Sequence, residues 1–379
     1  MTKLNILIIV LILLVVVGTI SKIIYDEFSN PQYKRIVIEN NNEDNDTLKT
    51  EPAKIENAEI KKIEAEIKSK KILFVGDIML DREVESLIKK NSNFYPYQKI
   101  SEFTKKYDLV FGNLEGPIVE NPPNFSQDSL TFAFSKDVLE GLSFGNFKIV
   151  SLANNHTLNM GENGLAETRK FLEEGKIKFV GDPLKCSEDF LYQEGDIIFL
   201  AFNKTYAKSC ADEEIIETIK STSSKNSENF IIINMHWGNE YQLTSSLKQQ
   251  KLAHKMIDAG ADLIIGHHPH VVQEVEIYKN KLIFYSLGNF IFDQYFSKNT
   301  QEGLAIEVEI YSAQKVPRDI FSSKAKTIQR KLIFRFFSLE SKLSQSALMS
   351  SEKAKEFLEK LAKRSDQDLF DEIKSGIIK

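Results

Sequence analysis

The chain has 379 residues, 42% of them hydrophobic and 27% charged, with 49 Lys and Arg against 54 Asp and Glu. That apolar content excludes a disordered or collagen-like chain, and a net charge of -5 speaks against nucleic acid as the main partner, because phosphate binding wants a basic face. Two cysteines, Cys186 and Cys210, can build neither a disulfide framework nor a Cys-based zinc site, so the placement of the six histidines carries the reading.

The N-terminal run Leu4–Ile20 is apolar except for Asn5 and Thr19. It is slightly short of the ~20 residues that cross a bilayer, and Ile23, Ile24 and Tyr25 can extend it while Lys22 snorkels. This predicts a signal anchor over residues 1–28, with a cleaved signal peptide (Thr19 and Ser21 as small residues before the cut) as the rival. A short leader before a long chain favours a single-pass protein of the cell membrane with its body on the extracellular side. Residues 29–70 follow as a polar linker. NNNEDND at 40–46 and a mixed Glu/Lys run carry few large apolar residues, partly helical over 58–68, with RIVI at 35–38 as an isolated strand-like stretch.

From Lys71 onward short β-rich runs recur: KILFV (71–75), DLVFG (108–112), KIVSL (148–152), KFVG (178–181) and DIIFLAF (196–202). NFIIINMH (229–236), DLIIG (262–266), KLIFYSLGNF (281–290) and LAIEVEI (304–310) continue the series. Helical stretches such as Gly164–Glu174 and Leu247–Ala259 separate several of them. Continuous apolar runs alternating with helices predict a layered α/β domain with mainly parallel strands, whose ligands sit beyond the strands' carboxyl ends. The residues there are polar in a specific way: Asp77; Asn113 and Glu115; Asn154, Asn155 and His156; His236; His267, His268 and His270; Asn289. Five of the six histidines fall at or just past strand ends. The sixth, His254, lies in a predicted helix and reads as a surface or interhelical residue.

Imidazole with carboxylate and amide oxygen suits first-row divalent ions, and the absence of thiolate removes the soft-ligand options. The set exceeds the three protein ligands of one catalytic zinc. It fits two ions ~3.5–4 Å apart that share a bridging carboxylate.

The motifs VGDIMLDR (75–82), FGNLEGPI (111–118), SLANNHTLNMGENGL (151–165), HWGNEY (236–241), GHHPHVVQ (266–273) and YSLGNFIFD (285–293) stand in order at compatible spacing. With them the chain from about Lys71 to Ile310 resembles the CapA family, associated with poly-γ-glutamate capsule synthesis, within the calcineurin-like metallophosphoesterase superfamily. The resemblance implies a four-layer α/β/β/α sandwich over 71–311 and two divalent ions (Mn, Fe or Zn). It makes Asp77, Glu115 and His270 ligands of one ion. Glu115 bridges to a second, completed by Asn155, His236 and His268, and His156 takes the place of the catalytic histidine. Met79 stands where the wider superfamily has a ligand histidine, which predicts a weaker first position.

Other positions keep two readings each. Arg82 clamps an anionic substrate or pairs with a local carboxylate; Glu240 and Asn289 orient ligands as outer partners or cap turns. His267 is the less favoured neighbour of the His268 and His270 pair, and Trp237 packs at the site rim. Gly141-Leu142-Ser143-Phe144-Gly145 matches a nucleophile elbow, but a helical run precedes it and a strand follows, the reverse of what that motif requires. Residues 312–379 read as an excursion (312–330), a strand at 331–339 and a helix over Ser351–Arg364 packing on the domain. Three functions stay open: a membrane-anchored protein of surface-polymer synthesis or export, a phosphoesterase or amide hydrolase acting on envelope substrates, and a non-catalytic polymer-binding assembly module. The expected partners are an anionic polymer or phosphoester substrate, the membrane, and other polymer synthesis or export proteins.

Overall fold

The computed structural model describes residues 68–206, 208–312 and 330–379. The expected anchor, nearly all of the linker and residues 313–329 of the expected excursion lie outside the described residues. Among the described residues no helix is long and apolar enough to cross a membrane.

In chain order the first strands are β1 (Lys68–Ile78), β2 (Leu109–Leu114), β3 (Ile118–Val119), β4 (Phe134–Ser135), β5 (Phe147–Ser151), β6 (Lys178–Val180), β7 (Tyr192–Glu194) and β8 (Ile197–Asn203). Then come β9 (Phe230–His236), β10 (Leu263–His267), β11 (Val275–Tyr278), β12 (Lys281–Phe284), β13 (Asn289–Ile291), β14 (Glu302–Ser312), β15 (Arg330–Lys342), β16 (Gln345–Leu348) and β17 (Ile377–Ile378). The main helices are α1 (Arg82–Lys90), α2 (Val138–Phe144), α3 (Gly161–Glu174), α4 (Asp212–Lys225), α5 (Leu247–Asp258) and α6 (Ser351–Arg364).

The strands form two large sheets. One runs β16-β15-β14-β1-β2-β5-β6, with β13 beside the end of β1 and β17 on β15. The other runs β11-β12-β10-β9-β8-β7. Their centres are parallel, as the βα alternation predicts, while β14 to β17 of the first sheet and the edge strands β7 and β11 of the second are antiparallel. β15 pairs with β14 along its length, so the C-terminal strand is built into the first sheet. β2, β8 and β9 are buried at every position, which is why they read as unbroken apolar runs.

Three cores separate the layers. Between the sheets, Phe74 and Phe111 of β1 and β2 meet Phe199 of β8, with ring centroids 6.3 and 5.8 Å away. Leu73 and Val75 point to the other face, as period-two strands require, and pack with Val84, Leu142 and Phe171 of α1, α2 and α3. Outside the second sheet, Ile198 and Ile231 pack with Ile215 and Ile219 of α4 and with Leu252 and Met256 of α5. Helices thus cover the two outer faces of an α/β sandwich. Truncating Phe199 to Ala would cost about 3–5 kcal/mol, because its ring contacts both sheets.

KLIFYSLGNF departs from its reading as one strand. The chain leaves the second sheet after β12 and enters the first at β13, turning at Gly288 with φ +69°. Gly76 lies against that turn so closely that a Cβ there would sit 1.8 Å from the Gly288 carbonyl oxygen, and Asp77 N–H donates to the same oxygen at 3.0 Å. This crossing joins the two sheets where the polar residues gather. Ser143 of the G-x-S-x-G match is exposed on α2, with β5 following, and forms no elbow.

Candidate metal centre

Register builds the centre. Parallel pairing of β1 with β2 sets Asp77 beside Asn113, and pairing of β9 with β10 sets His236 beside His267. The first sheet therefore contributes carboxylates and amides, the second imidazoles. The GHHPH turn adds two more rings, with His268 and His270 at φ +94° and +57°, a left-handed backbone that non-glycine residues rarely take.

Asp77 is fully buried. Its Oδ1 accepts from Asn113 Nδ2 at 2.8 Å, and its Oδ2 accepts from His268 N–H and faces His270 Nδ1, both at 3.2 Å. Burial alone would raise its pKa, but hydrogen bonds and charge from His267 and His270 hold it well below the usual carboxylate range. Burial pushes Glu115 well above that range, with Asp77 adding to the shift and the His270 charge opposing it. His270 itself is raised to about 9, because Glu115 and Asp77 outweigh its burial. Burial lowers His268 to about 3 and His156 to about 4, and takes His236 well below the ordinary value.

Donor atoms of Asp77, Glu115 and His270 lie within 4.8 Å of one another, as do those of Glu115, His236 and His268. Glu115 is common to both groups. Asn155 Oδ1 sits 2.6 Å from His236 Nε2, which brings the amide oxygen to the second group. A third triplet joins Glu240, exposed on the HWGNEY turn, to His268 and His270. The buried atoms Glu115 Oε1 and His268 Nδ1 have no hydrogen-bond partner. Such orphans cost roughly 1–3 kcal/mol each unless something else satisfies them. The oxygen and nitrogen donor set and its orphaned atoms fit divalent first-row cations.

The remaining candidates fall as follows. His156 Nε2 is 3.6 Å from Glu115 Oε1, while its Nδ1 meets Asn159 Oδ1 at 3.1 Å and its ring packs on Phe132. Asn289 Oδ1 meets His270 Nδ1 at 3.1 Å, the arrangement of a partner that orients a ligand. Arg82 makes a two-nitrogen ion pair with Asp293, donates to the Ser129 carbonyl at 3.1 Å and stacks on Phe132. Of its two open readings, pairing with a local carboxylate is the one the geometry displays. His267 belongs to none of the triplets; its Nδ1 stands 3.4 Å from Asp77 Oδ1. Met79 is buried in the core beneath α1 to α3, and its sulfur accepts from Asp81 N–H at 3.1 Å. Trp237 corrects the rim expectation: it is fully buried in the core outside the second sheet, donating to the Tyr285 carbonyl at 3.0 Å. A ring that size gains more from core burial than from a wet edge. His254 stacks on Tyr278 and pairs with Glu276, tying α5 to β11.

Two strand-end amides that the chain reading named without giving them a role organise the rest. Asn113 touches Asp77, lies 3.2 Å from His236 Nδ1 and accepts from Asn154 Nδ2 at 3.0 Å. Asn154 Oδ1 in turn caps the N–H groups of His156 and Thr157, shaping the loop that carries Asn155. Their position just past strand ends was the available signal, but amides in turns are too common to stand out.

The sequence profile of the family described as "Bacterial capsule synthesis protein PGA_cap" matches residues 71–294, a span that contains every residue of the centre. The chain belongs to this family. It is 31% identical over 252 residues to the capsule biosynthesis protein CapA of Bacillus anthracis, covering 61% of this chain and 61% of that one. It is 30% identical over 292 residues to the PGA biosynthesis protein CapA of Bacillus subtilis strain 168, covering 68% of this chain and 76% of that one. The yellow lupin (Lupinus luteus) purple acid phosphatase PPD1 matches in shape with a TM-score of 0.35 and 9% identity, over 75% of this chain and 54% of that one.

Proposed function

We propose that this PGA_cap protein is a membrane-anchored, extracellular, two-metal hydrolase that serves the synthesis or export of poly-γ-glutamate or a related surface polymer. The observation that carries the reading is Glu115, a buried carboxylate shared by two donor groups and left with an orphaned oxygen. The capsule and PGA biosynthesis roles named for the two Bacillus relatives supply the polymer. The Cys186–Cys210 disulfide supports an oxidising location, since such bonds persist outside the cytoplasm. The apolar run Leu4–Ile20 supports the anchor.

Asp77, Glu115 and His270 would hold one divalent ion, and Glu115, Asn155, His236 and His268 the other. Bound there, the pair supplies Lewis-acid polarisation of a phosphoryl or carbonyl oxygen and an acidified water. The chain's own residues do the rest. Asn113 and Asn289 orient the carboxylate of Asp77 and the ring of His270. His156, outside both donor groups but facing Glu115, holds or moves a proton at Nε2, its ring fixed by Asn159 and Phe132. Arg82 pins the N-terminus of α1 to Asp293 and backs Phe132, so it sets the wall against which His156 rests.

A non-catalytic polymer-binding module is the second reading, favoured by Met79, which leaves the first position with three ligands from the chain. The test is metal analysis of the full-length protein with turnover of a chromogenic phosphodiester and of a γ-glutamyl amide. Metal-dependent turnover is expected. His156→Ala should keep the metal and lower turnover by ~10²–10⁴, the usual contribution of a positioned acid or base. Bound metal with no turnover on either substrate class would favour the binding module.

A further inference from the structure

The connection that follows β8 reaches the backbone of two residues in the second donor group. Lys204 N–H donates to the carbonyl of His236 at 2.8 Å, and the hydroxyl of Tyr206 donates to the carbonyl of Asn155. Between them, Thr205 N–H and Oγ1 are held by Asn203 Oδ1 at 3.0 and 2.6 Å. The far end of the connection is tied down as well. Lys204 Nζ donates to the Cys210 carbonyl at 2.8 Å and pairs with Asp212 at 3.0 Å. Cys210 is bonded to Cys186, 24 residues earlier, whose own carbonyl accepts from Thr218 of α4 at 2.7 Å. The half-buried Tyr206 ring borders an open surface pocket together with Leu158, Leu184 and Lys208. The tether lies on one side of it and the Asn155 carbonyl on the other.

We infer that Tyr206 is a positioning residue for Asn155, and that the Cys186–Cys210 bridge makes that positioning sensitive to reduction. The inference rests on the two-metal reading and deepens it by assigning a support to one position. An added dithiol breaks the single S–S bond, giving two thiols while the dithiol is oxidised to its cyclic disulfide. The freed connection then no longer holds the phenol against Asn155, and the amide oxygen loses its fixed place beside His236. These contacts end directly on Asn155 and His236 and meet Asp77 only at one remove, through Asn113, so the larger effect falls on the second position.

The experiment is calorimetric titration of the full-length protein with Mn²⁺ alone. Tyr206→Phe should weaken one binding event tenfold to a hundredfold, the usual cost of losing an outer-shell partner, and affect the other less. The Cys186→Ser/Cys210→Ser double variant, or wild type reduced, alkylated and freed of reductant, should show the same selective loss. Combining Tyr206→Phe with the cysteine changes should add little, because both act through one contact. Amide hydrogen exchange over residues 154–158, measured without metal, should quicken in each variant. Wild-type affinities in Tyr206→Phe, or losses that multiply on combination, would overturn the inference. Wild type that binds no Mn²⁺ would sink the two-metal reading itself, and unchanged exchange in Tyr206→Phe would then sink this inference separately.

Discussion

The two donor groups share Glu115 but differ in what stands behind them. Around Asp77 and His270 the support is short and internal: Asn113, Asn289 and the backbone of the GHHPH turn, all within or beside the paired strands. Around Asn155 and His236 the nearby amides of Asn113 and Asn154 are joined by a longer, borrowed support that runs through Tyr206 and Lys204 to a disulfide. The first group has firm scaffolding and few ligands; the second has more ligands on a more distant scaffold. Ligand number and ligand support are therefore separate properties of this centre. They predict different responses to substitution.

The change that breaks the comparison outright is Glu115→Gln, because it removes the one carboxylate both groups use. Loss of essentially all bound transition metal is expected by elemental analysis. Thermal unfolding adds a second readout. A ligand present at a hundred times its Kd stabilises by about 2.7 kcal/mol, so chelation should lower the wild-type midpoint and leave the variant's unmoved. Metal retained at wild-type stoichiometry would show that Glu115 bridges nothing. Without metal the variant should melt higher than wild type, since a buried carboxylate with one oxygen lacking a hydrogen bond costs more than its neutral amide.

Substituting within one group sharpens the comparison. His236→Ala should remove the ion of the second group, while Asp77→Asn should remove the ion of the first and spare the second. The measurement is metal content per chain after dialysis against a weak chelator. The first group's ion should leave wild type at lower chelator concentration, because that group has three chain ligands against four. Equal retention of both ions would mean that scaffolding compensates for ligand number.

Much of this layout was legible along the chain, and the illegible parts have identifiable causes. β1, β2, β9 and β10 announced themselves because strands buried on both faces leave apolar runs, and the donors stood directly beyond them. The crossing at Leu287 and Gly288 was not legible, since an apolar run carries no mark of which sheet each half joins; the pairing of β12 with β10 and of β13 with β1 reveals it. Tyr206 escaped notice because its role depends on residue 155, far away in sequence. Asn113 was named at its strand end but given no role, because its value lies in touching Asp77, His236 and Asn154 at once. The Cys186–Cys210 pair was weighed as a framework or a zinc site, and a single bridge serving one loop lay between those alternatives.

The smallest expected effect concerns Met79, and it tests why the first group is short of ligands. If the thioether merely occupied a ligand's seat, an imidazole there would restore a fourth donor and tighten the first ion. The geometry says otherwise. Met79 is fully buried among Val84, Ile88 and Phe292 in the core beneath α1 to α3, and its sulfur is committed to Asp81 N–H at 3.1 Å. Its backbone is fixed too, with N–H donating to the Ile291 carbonyl at 2.9 Å. A histidine placed there would set a polar ring in an apolar core instead of in the donor group, at a cost of roughly 1–3 kcal/mol. Met79→His should therefore lower the thermal midpoint by several degrees while Mn²⁺ affinity at the first position stays within about twofold, well below the tenfold that 1.4 kcal/mol represents. A tenfold gain at that position would mean that the side chain can turn toward Asp77, and that the first group lacks a ligand only because of the residue type standing there.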